Sequence, residues 1–456
     1  MSPSGTQIAA RQEPPTETSV RKPATVSADP VASKALDANL PDLHELGVPS
    51  HVAAALEAMR FSHRSTNRIR ALPSKDWPRF LTWAEGRQVA LTIAGLWEDG
   101  FAERERVLLA RSGKAFSARL VRIREALREI AFQLGERRIP FVALKGFTHA
   151  PDLTPDPVWR AQGDIDIWCA SNAAAAFDAL IALGYVPTAS HSKRHLPPLV
   201  RSQTWKWNGD LAAIPLSVEI HERLWEEGAG YAGAPGEMEI WRRTTSRSFH
   251  GDAYRVLRTA DLVSFAAFHF FMHLVNGDLP LQRAWEIANF LHSRVDDDCY
   301  WDEWASSHST RRWVIEPLVF RLVQKWFHCG LPGVVVRASS LLPEDAQFWL
   351  DRFAFEPLKA QGHSNKNYFW LNWSLLSTRK ERLRAARRCF IPIGLPGFVD
   401  RSNDGARKSS VRRSLRQRRF VLSRARHHLV SVGPTLKGGL LWLRYKCGLA
   451  SRAVPR

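Results

Sequence analysis

Gly163-Asp164-Ile165-Asp166-Ile167-Trp168 and, further along, Val218-Glu219-Ile220-His221 alternate acids with isoleucines. Successive side chains of a β-strand point to opposite faces, so Asp164 and Asp166 share one face while Ile165 and Ile167 take the other. By the same rule Glu219 and His221 oppose Ile220. Two such strands side by side would bury their isoleucines and gather three carboxylates, Asp164, Asp166 and Glu219, at one point. Crowded carboxylates repel unless a cation neutralises them, and hard oxygen ligands favour Mg²⁺, with Mn²⁺ as the alternative. The pattern points to an enzyme that handles phosphates through metal ions.

Upstream, Pro140 ends a helix and Phe141-Val142-Ala143-Leu144 reads as a buried strand closed by the turn Lys145-Gly146. Downstream, Ala173 to Leu183 reads as a helix, Gly184 as a turn, and Thr204 to Trp207 and Leu216 to His221 as strands. These elements predict a sheet domain over 138–250. On its N-terminal side, Leu120, Ile123, Leu127, Ile130 and Leu134 recur at helical spacing, so 39–137 is expected to be helical. Residues 1–38 are rich in Pro, Ser, Thr and Ala and read as a disordered leader. Helices return over 251–378, at Asp261 to Val275, Leu281 to His292 and Arg311 to Phe327, with another opening at Asp302. The stretch 379–456 reads as less regular, basic and punctuated by Gly and Pro.

A chain of 456 residues, 45% hydrophobic with 18 Trp and 23 Phe, has room for two or three domains and a sizeable core. From Arg379 to Arg456 there are 21 Lys or Arg against three acids, a net of +18 out of +19 for the whole chain, so the body is nearly neutral. The five cysteines lie far apart without a CxxC pair, which argues against a zinc ribbon or a secreted disulfide framework and for a reducing cytoplasm. Neither a long apolar run nor a signal-peptide core is present, so no membrane span or export is expected.

The blocks Leu144-Lys145-Gly146, Arg160 leading into Asp164-Ile165-Asp166-Ile167, and Val218-Glu219-Ile220-His221 resemble the bacterial uncharacterised nucleotidyltransferase family, within the polymerase-β-like nucleotidyltransferase superfamily. Leu281-Gln282-Arg283-Ala284-Trp285-Glu286, after the helix that carries His269 and His273, looks like that family's helical half. The resemblance covers roughly 90–330. It implies an α+β fold, a small mixed-sheet nucleotidyltransferase domain flanked by helical N-terminal and C-terminal regions. It further implies transfer of a nucleoside monophosphate from an NTP such as ATP to an acceptor, with release of pyrophosphate. Asp164, Asp166 and Glu219 would then hold the metal ions and carry the catalysis. Lys145, Gly146, Thr148, Arg160 and His221 would contact the nucleotide and its phosphates. The usual Gly-Ser pair before the aspartates is replaced by Gly146-Phe147-Thr148, and Glu286 stands where the family's helical half has Asp.

That missing pair motivates an alternative, a catalytically silent adaptor that binds nucleotide or nucleic acid on the same fold. The acceptor is open among a protein, a peptide, a small molecule and an RNA. His269 and His273 have zinc-ligand spacing, but Phe270 stands where a metalloprotease needs Glu, so they are expected to be packed histidines. The basic tail suits an anionic partner, either RNA or a membrane surface, which would make a cytoplasmic protein peripheral to the membrane.

Overall fold

Seven short strands form one mixed sheet, in the order β3-β4-β5-β2-β1-β7-β6, in a computed structural model that describes residues 42–97, 101, 103–188, 196–201, 215–225, 236–306, 312–391 and 410–449. The strands are β1 (Val142–Leu144), β2 (Asp164–Trp168), β3 (Tyr185–Pro187), β4 (Leu199–Arg201), β5 (Ser217–His221), β6 (Thr245–Phe249) and β7 (Asp252–Val256). Both acid-bearing segments are strands, and they are parallel neighbours in the middle of the sheet. Their register sets Asp166 beside Glu219 and Trp168 beside His221. On its other side β2 runs antiparallel to β1, with Leu144 beside Asp166. The expected leader and the strand expected at Thr204–Trp207 lie outside the described residues.

The sheet divides two cores because its side chains alternate. Ile165, Ile167, Val218 and Ile220 pack with Ile123, Leu127, Ile130 and Leu134 of the helix Glu103–Glu136 and with Ala176, Ala179 and Leu180 of the helix Ala173–Ala182. Each isoleucine or leucine buried this way contributes about 1.5–3 kcal/mol. Val142, Leu144 and Trp168 point the other way and join the core of the helical body. That body is built around the helices Thr259–Val275, Leu281–Ser293 and Arg312–Phe327, close to the spans the periodicity predicts. Asp166, Glu219 and His221 therefore sit on the sheet face turned toward the helices.

The C-terminal region differs from its expected irregularity. The helices Arg379–Phe390 and Ser410–Lys446 occupy its described part, and the second runs through Gly433, Pro434, Gly438 and Gly439. Two of these glycines serve packing: a Cβ on Gly438 would collide with Asn367 and one on Gly439 would press on Trp370. Contact with the body, a tertiary effect, outweighs the poor helix propensity of Gly and Pro. Among the described residues no helix is long and apolar enough to cross a membrane.

Candidate metal and nucleotide site

Parallel pairing of β2 with β5 brings together groups far apart in the chain. One ligand atom each from Asp166, Glu219 and His221 lie within 4.8 Å of one another. Asp166 is buried, and its Oδ1 accepts a hydrogen bond from Lys145 Nζ at 2.6 Å and lies 2.7 Å from His221 Nε2. Its Oδ2 is also buried. Burial by itself would raise the Asp166 pKa, but the Lys145 ammonium and the His221 hydrogen bond outweigh it and hold that carboxyl well below the usual range.

The neighbouring acids respond in the opposite sense. Burial, then repulsion from Asp166 and Asp164, pushes Glu219 up to about 8. Asp164, one pleat earlier on the same strand face, is also raised, by burial and by Asp166. Asp164 stands outside the tight donor group, whereas His221, expected at the nucleotide, belongs to it. Two adjacent carboxylates and an imidazole, with donor atoms within 4.8 Å of one another, fit a divalent cation.

The turn before the site is held from the strand side. Lys145 has φ +55° and Gly146 φ +52°, so consecutive residues take positive φ, which favours glycine. Gln162 locks this turn to β2: its Oε1 accepts from Phe147 N at 3.1 Å and its Nε2 donates to Asp164 O at 2.7 Å. The same side chain occupies the space a Cβ on residue 146 would need. Arg119, from the long helix, donates to the carbonyls of Gln162 and Gly163. Thr148 is buried, and its hydroxyl donates to Lys145 O at 2.7 Å within the turn.

Arg160 is directed to Glu286 rather than to the aspartates, with Nε 2.8 Å from Oε1. His149 Nδ1 lies 3.0 Å from the other Glu286 oxygen. Burial would raise Glu286, but Arg160 and His149 prevail and hold it down to about 2. The acid anchors Arg160 and the turn containing His149 against the helical body.

Arg283, one turn before Glu286 on the same helix, was missed as a site residue. Its Nη1 lies 2.5 Å from His273 Nε2 and 3.3 Å from His269 Nε2. A guanidinium only donates, so His273 Nε2 accepts and its proton sits on Nδ1, which donates to Asp278 Oδ2 at 2.9 Å. Burial lowers the Arg283 pKa, and the fields of Glu286, Asp164 and Asp166 oppose that. No carboxylate of the described residues pairs directly with Arg283, and its Nε is buried without a hydrogen-bond partner. The sequence signal was an Arg one helical turn before Glu286, following two histidines at helical spacing.

The fold and the site define an α+β protein with a candidate cation position on the inner face of its sheet and a half-buried arginine from the helices nearby. Residues 73–328, more than half of the chain, match the family described as uncharacterised nucleotidyltransferase, and the chain belongs to that family. No curated protein matches it.

Proposed function

We propose that this chain is a divalent-cation-dependent nucleotidyltransferase that moves a nucleoside monophosphate from an NTP, ATP being the first to test, to an acceptor hydroxyl. The observation that carries the reading is the Asp166–Glu219 register on adjacent parallel strands, with His221 completing the donor group. A Mg²⁺ or Mn²⁺ ion held by Asp166, Glu219 and His221, with Asp164 beside them, would neutralise phosphate charge and polarise the α-phosphoryl group. Lys145 and Arg283 supply positive charge for the remaining phosphates. Gly146 lets backbone approach a phosphate. The acceptor oxygen forms its bond to the α-phosphorus as the bond to the bridging oxygen breaks, pyrophosphate leaves, and Glu219 takes the acceptor's proton. Raised to about 8 by burial and the two aspartates, Glu219 keeps its own proton at neutral pH until a bound cation displaces it, and the carboxylate so freed can take the acceptor's proton. The five cysteines, all unpaired, accord with a cytoplasmic site of action.

The test is label transfer from each α-labelled NTP with Mg²⁺ or Mn²⁺, against protein, peptide, small-molecule and RNA acceptors, alongside Asp166→Asn. The wild type yields labelled product and pyrophosphate, and the variant yields neither while keeping its fold. Retained activity in Asp166→Asn rejects the metal role. One observation favours the silent-adaptor reading: Lys145 is committed to Asp166 and the Thr148 hydroxyl to its own turn. NTP binding without turnover, for every acceptor and either metal, would select that alternative.

A further inference from the structure

The helix Ser410–Lys446 has two unlike faces. Its inner face is docked: Ser431, Thr435 and Trp442 are buried, and Thr435 Oγ1 accepts from Lys366 N at 3.1 Å. Gly438 and Gly439 allow close approach to Asn367 and Trp370, and Tyr445 stacks on Phe348 with centroids 3.9 Å apart. On the outer side Leu415, Leu422, Leu429, Leu436 and Leu443 recur every seventh residue, each between 50% and 74% exposed. At 3.6 residues per turn, Leu429 and Leu436 stand about 160° and about 140° around the helix from Ser431. A seven-residue repeat drifts by only about 20° per heptad, so the five leucines form one stripe about 42 Å long. Val430, Val432 and Leu440, also exposed, widen it.

The same helix carries ten Lys or Arg and no Asp or Glu. Exposed Arg418, Arg419, Arg426 and Arg444 lie within or beside the stripe. We propose that this leucine stripe with its arginine margin is a docking face for an anionic lipid surface, on which the helix lies in the plane of the headgroups. An apolar stripe bordered by cations is what an interfacial helix needs: leucines enter the acyl boundary while guanidinium groups meet anionic headgroups. Charge decides against a second copy of the chain. In a leucine coiled coil Arg419 and Arg426, four residues after Leu415 and Leu422, would take the other core position, and the helix has no acid to oppose them. The leucines decide against nucleic acid, because phosphate contacts use the arginines and leave the apolar stripe in water. This face is independent of the reaction at the sheet.

The test is co-sedimentation of the full-length chain with phosphatidylcholine vesicles, with and without phosphatidylglycerol, for the wild type, Leu429→Ser/Leu436→Ser and Arg419→Gln/Arg426→Gln. These side chains are exposed, so circular dichroism should be unchanged; Leu422→Ser is a milder second variant. The wild type binds the anionic vesicles, binding weakens with salt, and each double variant lowers the partition coefficient by roughly tenfold or more. Unchanged vesicle binding by the leucine variants overturns the proposal, as does indifference of the wild type to phosphatidylglycerol. RNA binding without vesicle binding overturns it in favour of nucleic acid. A wild-type dimer that the leucine variants make monomeric, again without vesicle binding, overturns it in favour of self-association.

Discussion

Changing Glu286 to Gln keeps the size of a side chain that is 1% exposed but removes the charge that Arg160 and His149 share. The magnitude follows from the protonation equilibrium. Glu286 is held at about 2 against an ordinary 4.5, and at about 1.4 kcal/mol per unit this makes the ionised form worth about 3 kcal/mol to the folded state at neutral pH. Leaving one member of a buried ion pair without its partner costs about 3–5 kcal/mol, in agreement. A depressed carboxyl stabilises above its unfolded pKa, because below that value the unfolded chain binds more protons. The contribution is therefore complete above about 4.5 and is lost as pH falls toward about 2. Urea unfolding followed by tryptophan fluorescence should show Glu286→Gln destabilised by about 3 kcal/mol at neutral pH, with the gap to wild type closing through that acid window. Exchanging Arg160→Met in the same background should recover part of the loss, since no buried charge is then left alone. A neutral-pH loss below about 1 kcal/mol, the range of an ordinary neutral hydrogen bond, would refute the reasoning.

Because Glu219 is raised to about 8, the cation-free protein should lose stability as pH rises from 4.5 through that value, as ionisation is forced on a crowded site. Mg²⁺ or Mn²⁺ should bind with release of a proton and more tightly up to about pH 8; calorimetry in buffers of different ionisation enthalpy measures the proton, and uptake in its place would contradict the assignment. Gly146→Ala forces an L-residue to φ +52° and pushes on a Gln162 side chain already fixed by two hydrogen bonds, so a loss of about 1–2 kcal/mol or more is expected in unfolding experiments. Gln162→Ala should relieve the steric part alone. Arg283→Met should weaken inorganic tripolyphosphate binding in the presence of Mg²⁺ by roughly tenfold to a hundredfold, the worth of a charged hydrogen bond, and leave the unfolding midpoint nearly unchanged. Equal tripolyphosphate affinity in the two proteins would remove Arg283 from the phosphate site.

Strand alternation made Asp164 and Asp166 legible as one face of their strand, and Glu219 and His221 as one face of theirs, because the two-residue period depends on backbone geometry that every strand shares. Helical spacing likewise marked the long helix through Leu120 and Leu134 and the helices of the body. The local strength of Gly and Pro as breakers misled at the C-terminus, where Gly438 and Gly439 are placed for close approach to Asn367 and Trp370 inside a continuous helix.

By itself, the order of residues determined which side chains share a face, which segments are helical, and the family, since these depend on local periods and short motifs. Only the tertiary structure decided that Asp166 stands beside Glu219, that Arg160 answers Glu286 rather than an aspartate, that Arg283 lies half-buried in the field of the acids, and that five leucines of the last helix remain outside. Each of these is a pairing across a long loop or a choice of docking face. Such choices follow from the packing of the whole chain, which no local period encodes.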